Sequence, residues 1–169
     1  MKTTCAVENA EKLSGILAQL KDGQSPLRVT FLYENETTRG WARESCEQIK
    51  ALVGNDRLQA TWWRITELND AGVLAGAVST AMHADLVVVA TEATEGLPLA
   101  FYVWINGWTP HRMKSTGALV ALLGRSMRGN SRSGRVADYL RAAASNTRMH
   151  FLKHTDHAIS ELKTLAQAA

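Results

Sequence analysis

Two unbroken apolar runs constrain this chain more than any other feature. Leu86 to Ala90 reads LVVVA, and Gly117 to Leu123 reads GALVALL. Neither run alternates with polar residues. A strand with one wet face alternates, whereas a strand covered on both faces does not. Both runs are therefore predicted to be interior strands of a parallel sheet with helices on either side. After the first run, Thr91 to Gly96 turns the chain. Pro98 is placed in the first turn of a helix, where its missing N–H costs nothing. Phe101, Trp104, Ile105 and Trp108 then recur at i, i+3, i+4 and i+7, one apolar helical stripe.

The remaining chain fits the same alternation. Residues 7–21 place Val7, Leu13, Ile16, Leu17 and Leu20 near helical spacing, which predicts an amphipathic helix outside the main fold. Asp22 to Pro26 links it to a first strand, Leu27 to Tyr33. The polar loop Glu34 to Gly40 follows, with Thr37 or Thr38 as cap of a helix over Arg39 to Val53 that ends at Gly54-Asn55-Asp56. Ala60 to Ile65 is the second strand. Asn69 or Asp70 caps a helix reaching His83, whose small residues (Ala71, Gly72, Ala75, Gly76, Ala77) allow close packing on a sheet. Thr109-Pro110 ends the Trp-rich helix. The loop Gly124 to Gly134 leads to a helix over Arg135 to Thr147, a short strand over Met149 to Leu152 and a closing helix over Ile159 to Ala166.

Strand and helix alternate five times, which implies parallel strands joined by right-handed crossovers. The expected fold is α/β, a three-layer sandwich with a five-stranded parallel sheet of order 2-1-3-4-5, the flavodoxin-like arrangement. Residues 1–25 form its extra N-terminal helix and linker, and residues 26–169 its single domain.

Composition narrows the setting. The 169 residues are 46% hydrophobic with only 3 prolines, which excludes a disordered chain. No apolar run approaches the ~20 residues of a membrane helix, and the N-terminus lacks the apolar stretch of a secretory signal. Cys5 and Cys46 are too few for a disulfide framework and lack metal-site spacing. A cytoplasmic protein is expected. The net charge of +3 is unevenly spread. Arg112 to Arg148 holds eight basic side chains against the one acid Asp138, a local +7 that leaves −4 elsewhere. Part of the surface should attract anions. Nucleic acid is not the expected partner, because no aromatic residues are interleaved with RSMRGNSRSGR.

In this topology ligands bind beyond the carboxyl ends of the strands, where the first and third strands diverge. Three polar loops are expected to meet there: Glu34 to Gly40, Thr91 to Gly96 and Gly124 to Gly134. The first leads into a helix N-terminus, which favours anions, and Thr37, Thr38 and Arg39 add hydroxyls and a guanidinium. The third brings Arg125, Ser126, Arg128 and Arg132. A phosphorylated small molecule is one reading. The other is that such loops are polar in every fold of this kind.

The stretch ADLVVVATEATEGLPLAFYVWINGW resembles the third-strand segment of NAD(P)H-dependent FMN reductases, through Ala84, Asp85, Thr91, Gly96, Pro98, Asn106 and Trp108. GALVALLGRSMRGNSRSGRVADYLRAAA is similar to that family's fourth strand, Gly/Ser-rich loop and helix. The likeness covers roughly residues 80–145. It implies an FMN-binding oxidoreductase in which the flavin is the redox centre. Thr37, Thr38 and Arg39 would hold phosphate; Thr91, Thr94, Glu95 and Gly96 would border the ring; Gly124, Arg125 and Ser126 would close the other side. The first loop departs from the family pattern. Glu34 and Glu36 stand beside the expected phosphate, where like charge opposes binding. The flanking aromatic residue is missing from the second loop, with Trp41 as its one replacement if it turns back to the cleft.

A rival reading is a cofactor-free, dimeric interaction module of the same fold. DLVVVATEATEGLP is also similar to the central strand and turn of response-regulator receivers, but Ala90 and Thr91 stand where that family carries its phospho-accepting Asp. Leu99, Tyr102 and Val103 lie opposite the Phe101/Trp104/Ile105/Trp108 stripe, so the helix has a second apolar face. Residues 97–108 are accordingly expected to form a homodimer contact, with packing under residues 7–21 as the alternative. His150, His154 and His157 cluster near the last strand, and are read as solvated histidines before metal ligands. Cys46 reads as a small apolar filler.

Overall fold

The computed structural model describes residues 26–92, 96–112, 117–124 and 135–155. The predicted helices over residues 7–21 and 159–166 lie outside this set. Five strands, β1 (Leu27–Tyr33), β2 (Leu58–Arg64), β3 (Leu86–Thr91), β4 (Ala118–Leu123) and β5 (His150–Thr155), alternate with α1 (Glu36–Val53), α2 (Ala71–His83), α3 (Leu99–Trp108) and α4 (Arg135–Asn146). They form one sheet in the order β2-β1-β3-β4-β5. Every pairing is parallel. The flavodoxin-like layout expected from the two apolar runs is present, and those runs are its third and fourth strands.

Period-two alternation sends side chains to two cores, one on each face of the sheet. Val29, Phe31, Leu86, Val88, Val120 and Leu122 pack with Ala42, Cys46, Ile49 and Val53 of α1. Leu32, Val87, Val89, Leu119 and Ala121 pack with α2, α3 and α4 on the other face. All six residues of β3 and all six of β4 are buried. Lack of alternation thus has its physical cause in two covered faces.

On the Trp-rich helix, Phe101, Trp104, Ile105 and Trp108 are fully buried, as their spacing predicted. Trp104 Nε1 donates to the Ala77 carbonyl of α2 at 3.1 Å. Small residues let these helices approach: a Cβ on Gly107 would lie 3.0 Å from Val78 Cγ2, and one on Gly76 would lie 2.9 Å from the Trp63 ring. Gly107 of α3 thus admits α2, and Gly76 of α2 admits the β2 side chain Trp63.

At the amino ends of the strands, Asp85 ties three segments together. Its N–H donates to the Arg28 carbonyl at 2.8 Å, its carbonyl accepts from Ala118 N at 3.1 Å, and its carboxylate accepts from Arg28 N at 2.9 Å. Arg112 donates to the Ala81 carbonyl near the end of α2. Burial lowers the Arg112 pKa, and the Asp85 carboxylate partly offsets this. Gly117, with φ +140°, leads into β4 where a Cβ would lie 2.6 Å from the Asp85 carbonyl oxygen.

Several boundaries differ from expectation. The first helix begins at Glu36 rather than Arg39, and its cap is Asn35 rather than Thr37 or Thr38. Asp70, not Asn69, caps α2, accepting from Gly72 N and Val73 N. Pro98 precedes the first turn of α3 as its cap. Thr109 to His111 continues that helix as a 3-10 turn instead of stopping it. The last strand runs to Thr155, three residues past the predicted end, because backbone pairing with β4 continues after its apolar residues stop.

Candidate functional site

Parallel register brings three strand ends to one rim. Tyr33 pairs with both Arg64 and Ala90, and Thr91 pairs with Leu123. The exits of β1, β3 and β4 therefore share a mouth, where the sequence placed its candidate residues.

The centre of this mouth is a carboxylate. Glu34, directly after β1, accepts at one oxygen from Thr91 Oγ1 at 3.2 Å and from Glu92 N at 3.1 Å. Asn35 Nδ2 donates to Glu92 Oε2 at 3.4 Å. Two residues that leave adjacent strands are thus laced to one another. On the β4 side, Gly124 N donates to the Thr91 carbonyl at 2.9 Å. A Cβ there would lie 2.9 Å from the Glu92 Cα and carbonyl oxygen, so only glycine allows this approach.

The predicted phosphate residues divide by role. Thr38 is fully buried. Its hydroxyl donates to the Asn35 carbonyl at 3.0 Å and accepts from Glu34 N and Asn35 N, both at 2.9 Å. Its N–H donates to Asn35 Oδ1, completing a reciprocal cap. Thr37 is exposed in the first turn of α1. Arg39 is also exposed; its guanidinium lies 3.7 Å from Glu36 and 5.9 Å from the centre of the Tyr33 ring. Trp41 packs against the α1-side core.

Thr91 is buried at the end of β3, and Gly96 is exposed, with Tyr102 Oη accepting from the neighbouring Leu97 N. Thr94, Glu95, Arg125 and Ser126 lie outside the described residues, as do Arg128, Arg132 and His157. The rim therefore brings together Glu34, Asn35, Thr38, Thr91, Glu92 and Gly124. Asn35 and Glu92 were missed by the sequence reading. The signal for Asn35 was its position three residues before a threonine, a capping pattern.

Chemically, the described rim offers carboxylates and few uncommitted donors. A bound phosphate needs donors aimed at it. Here the Thr38 hydroxyl and N–H, the Thr91 hydroxyl and the Glu92 N–H are already engaged. Two depressions elsewhere are formed by described residues. An open groove of about 620 Å³ runs between α1 and β2, lined in part by Arg39, Arg43, Glu44, Glu47, Lys50 and Trp62. The Trp62 ring stacks on Phe31 with centroids 4.2 Å apart. A smaller cleft lies between α2 and the amino ends of β1 and β2.

Among the described residues, no group of three or more His, Cys, Asp or Glu is arranged to hold a metal ion. No helix among them is long and apolar enough to cross a membrane. Cys46 is buried, and burial raises its thiol pKa, in keeping with an apolar filler. Leu99 and Val103 of α3 are 78% and 45% exposed. The neighbouring Tyr102 ring packs edge-on against Tyr139 of α4 at 4.9 Å.

The fold defines the class as a doubly wound α/β protein of flavodoxin-like layout. The sequence matches no protein-family model, and no curated protein aligns with it significantly.

Proposed function

We propose that this chain is an interaction module that pairs with a second copy of itself through α3, on a frame whose mouth carries no flavin. The observation that carries the reading is the exposed pair Leu99 and Val103 on a helix whose other face is already buried. No residue of α3 is charged. Two copies related by a two-fold axis would therefore meet without like-charge repulsion, apolar against apolar. Burying a leucine or valine side chain contributes about 1.5–3 kcal/mol. The Glu34 carboxylate supports the cofactor-free half of the reading, because it holds the Thr91 and Glu92 donors that border the mouth.

Sedimentation velocity across a concentration series tests this. The intact chain is expected to dimerise, and the double variant Leu99→Asp/Val103→Asp to remain monomeric with unchanged circular dichroism. A chain that stays monomeric at high concentration overturns the reading.

The FMN-dependent oxidoreductase reading keeps one specific support, the exposed Thr37 and Arg39 in the first turn of α1. It forecasts a yellow protein and stabilisation by FMN, about 2.7 kcal/mol at a hundred times the dissociation constant. An unchanged melting temperature with FMN, FAD and NADPH leaves the interaction module standing.

A further inference from the structure

The rim opposite the mouth carries a different chemistry. α2 runs back against the strand direction, so its last turn lies beside the starts of β1 and β2. There the helix and the sheet face each other across a cleft of about 330 Å³, whose lining includes Arg28, Gln59, Thr61, Ser79, Thr80 and His83. That volume is at the small end of the range for ligand sites. A layer between helix and sheet is ordinarily apolar, and the neighbouring Leu32 and Ala77 keep that rule.

The lining is one-sided in its chemistry. Beside Val29 it holds hydroxyls, an amide, a guanidinium and an imidazole, with no carboxylate among the described residues. Some of these groups fix the walls. Thr30, also in the lining, shares a 3.1 Å hydrogen bond with the Thr61 hydroxyl. Trp63 Nε1 donates to Thr80 Oγ1 at 3.0 Å, and that hydroxyl donates to the Ala77 carbonyl. His83 Nδ1 lies 2.9 Å from the Ser79 carbonyl. A carbonyl only accepts, so Nδ1 is the donor of this bond. The exposed Arg28, Gln59 and Ser79 side chains stand at the opening.

We propose that this cleft binds a small hydroxyl-bearing oxyanion, a sugar phosphate or a sugar acid. Arg28 supplies a two-pronged partner for the oxyanion. Gln59, Thr61 and Ser79 supply paired donors and acceptors for hydroxyl groups. The site is separate from the mouth and from α3, so it stands or falls independently of the interaction reading.

Amide chemical-shift mapping of the full chain tests it, with ribose 5-phosphate, gluconate and inorganic phosphate as probes. Saturable shifts at Arg28, Gln59, Thr61, Ser79, Thr80 and His83 are expected with one of the two sugar derivatives, and which one responds identifies the oxyanion. Arg28→Gln is expected to weaken binding about tenfold. It leaves the backbone bond to Asp85 in place, so the fold is retained. Ser79→Leu fills the opening from an exposed position and is expected to abolish the shifts. Non-saturating shifts spread over the surface, or saturable shifts unaffected by both variants, overturn the site. Inorganic phosphate binding as tightly as ribose 5-phosphate overturns recognition of the hydroxyl groups.

Discussion

Thr38 uses all three hydrogen-bonding positions of its hydroxyl inside one turn, one as donor and two as acceptor. Replacing it with valine keeps the shape and leaves two part-buried N–H groups without their partner. Thr38→Val is expected to lower stability by about 1–3 kcal/mol, read as a fall in the urea midpoint, with Thr38→Ser recovering most of the loss. Asn35→Ala removes the other half of the cap and is expected to lower it by about 1 kcal/mol. Cys46 gives a test of burial. Its pKa is raised above the ordinary 9.0, chiefly by burial. The folded protein therefore holds the thiol proton more tightly than the unfolded chain. This contribution is complete below the unfolded pKa and is lost as pH rises through the higher folded value. In a Cys5→Ser background, Cys46 is expected to react slowly with a disulfide reagent at pH 8 and to speed up with added urea. At this scale the sequence displays which hydroxyls and carboxylates are present, and not where they point. Thr38 was visible as a capping or phosphate residue; which bonds it makes was not, because they depend on how it and Asn35 close on their own loop.

Elements are more legible than residues, because their signals are sums over many positions. The five strands and four helices of the described residues were foreseen from apolar runs, cap candidates and turn residues together, and the buried stripe of α3 was read residue by residue. Ends were less legible. Apolar pattern marks where side chains are buried, whereas a helix or strand stops where backbone bonding stops. That difference hid the first turn of α1, written in Glu36, Thr37 and Thr38, and the last half of β5. Two substitutions test what holds the elements in place. Trp104→Ala empties a fully buried site and breaks the bond to Ala77, and is expected to cost about 3–5 kcal/mol. Gly117→Ala is expected to be as damaging despite adding a single carbon. It must place Cβ 2.6 Å from the Asp85 carbonyl oxygen at a φ of +140°. Thermal denaturation of both variants checks the comparison.

For the whole molecule, the parallel sheet sets how the chain must be assembled. Val29 of β1 pairs with Leu86 of β3, and Leu86 with Ala118 of β4. No pair of neighbouring strands is joined by a tight hairpin, so every ladder waits on a long crossover. During synthesis β3 leaves the ribosome before β4 does, with both its faces apolar and one edge unpaired. Until about thirty more residues have emerged, that strand is a sticky intermediate rather than part of a fold. Nascent chains halted with β3 outside the ribosome and Ala118 still inside should therefore be held by chaperones or lost to aggregation, and release from that state should coincide with the emergence of GALVALL.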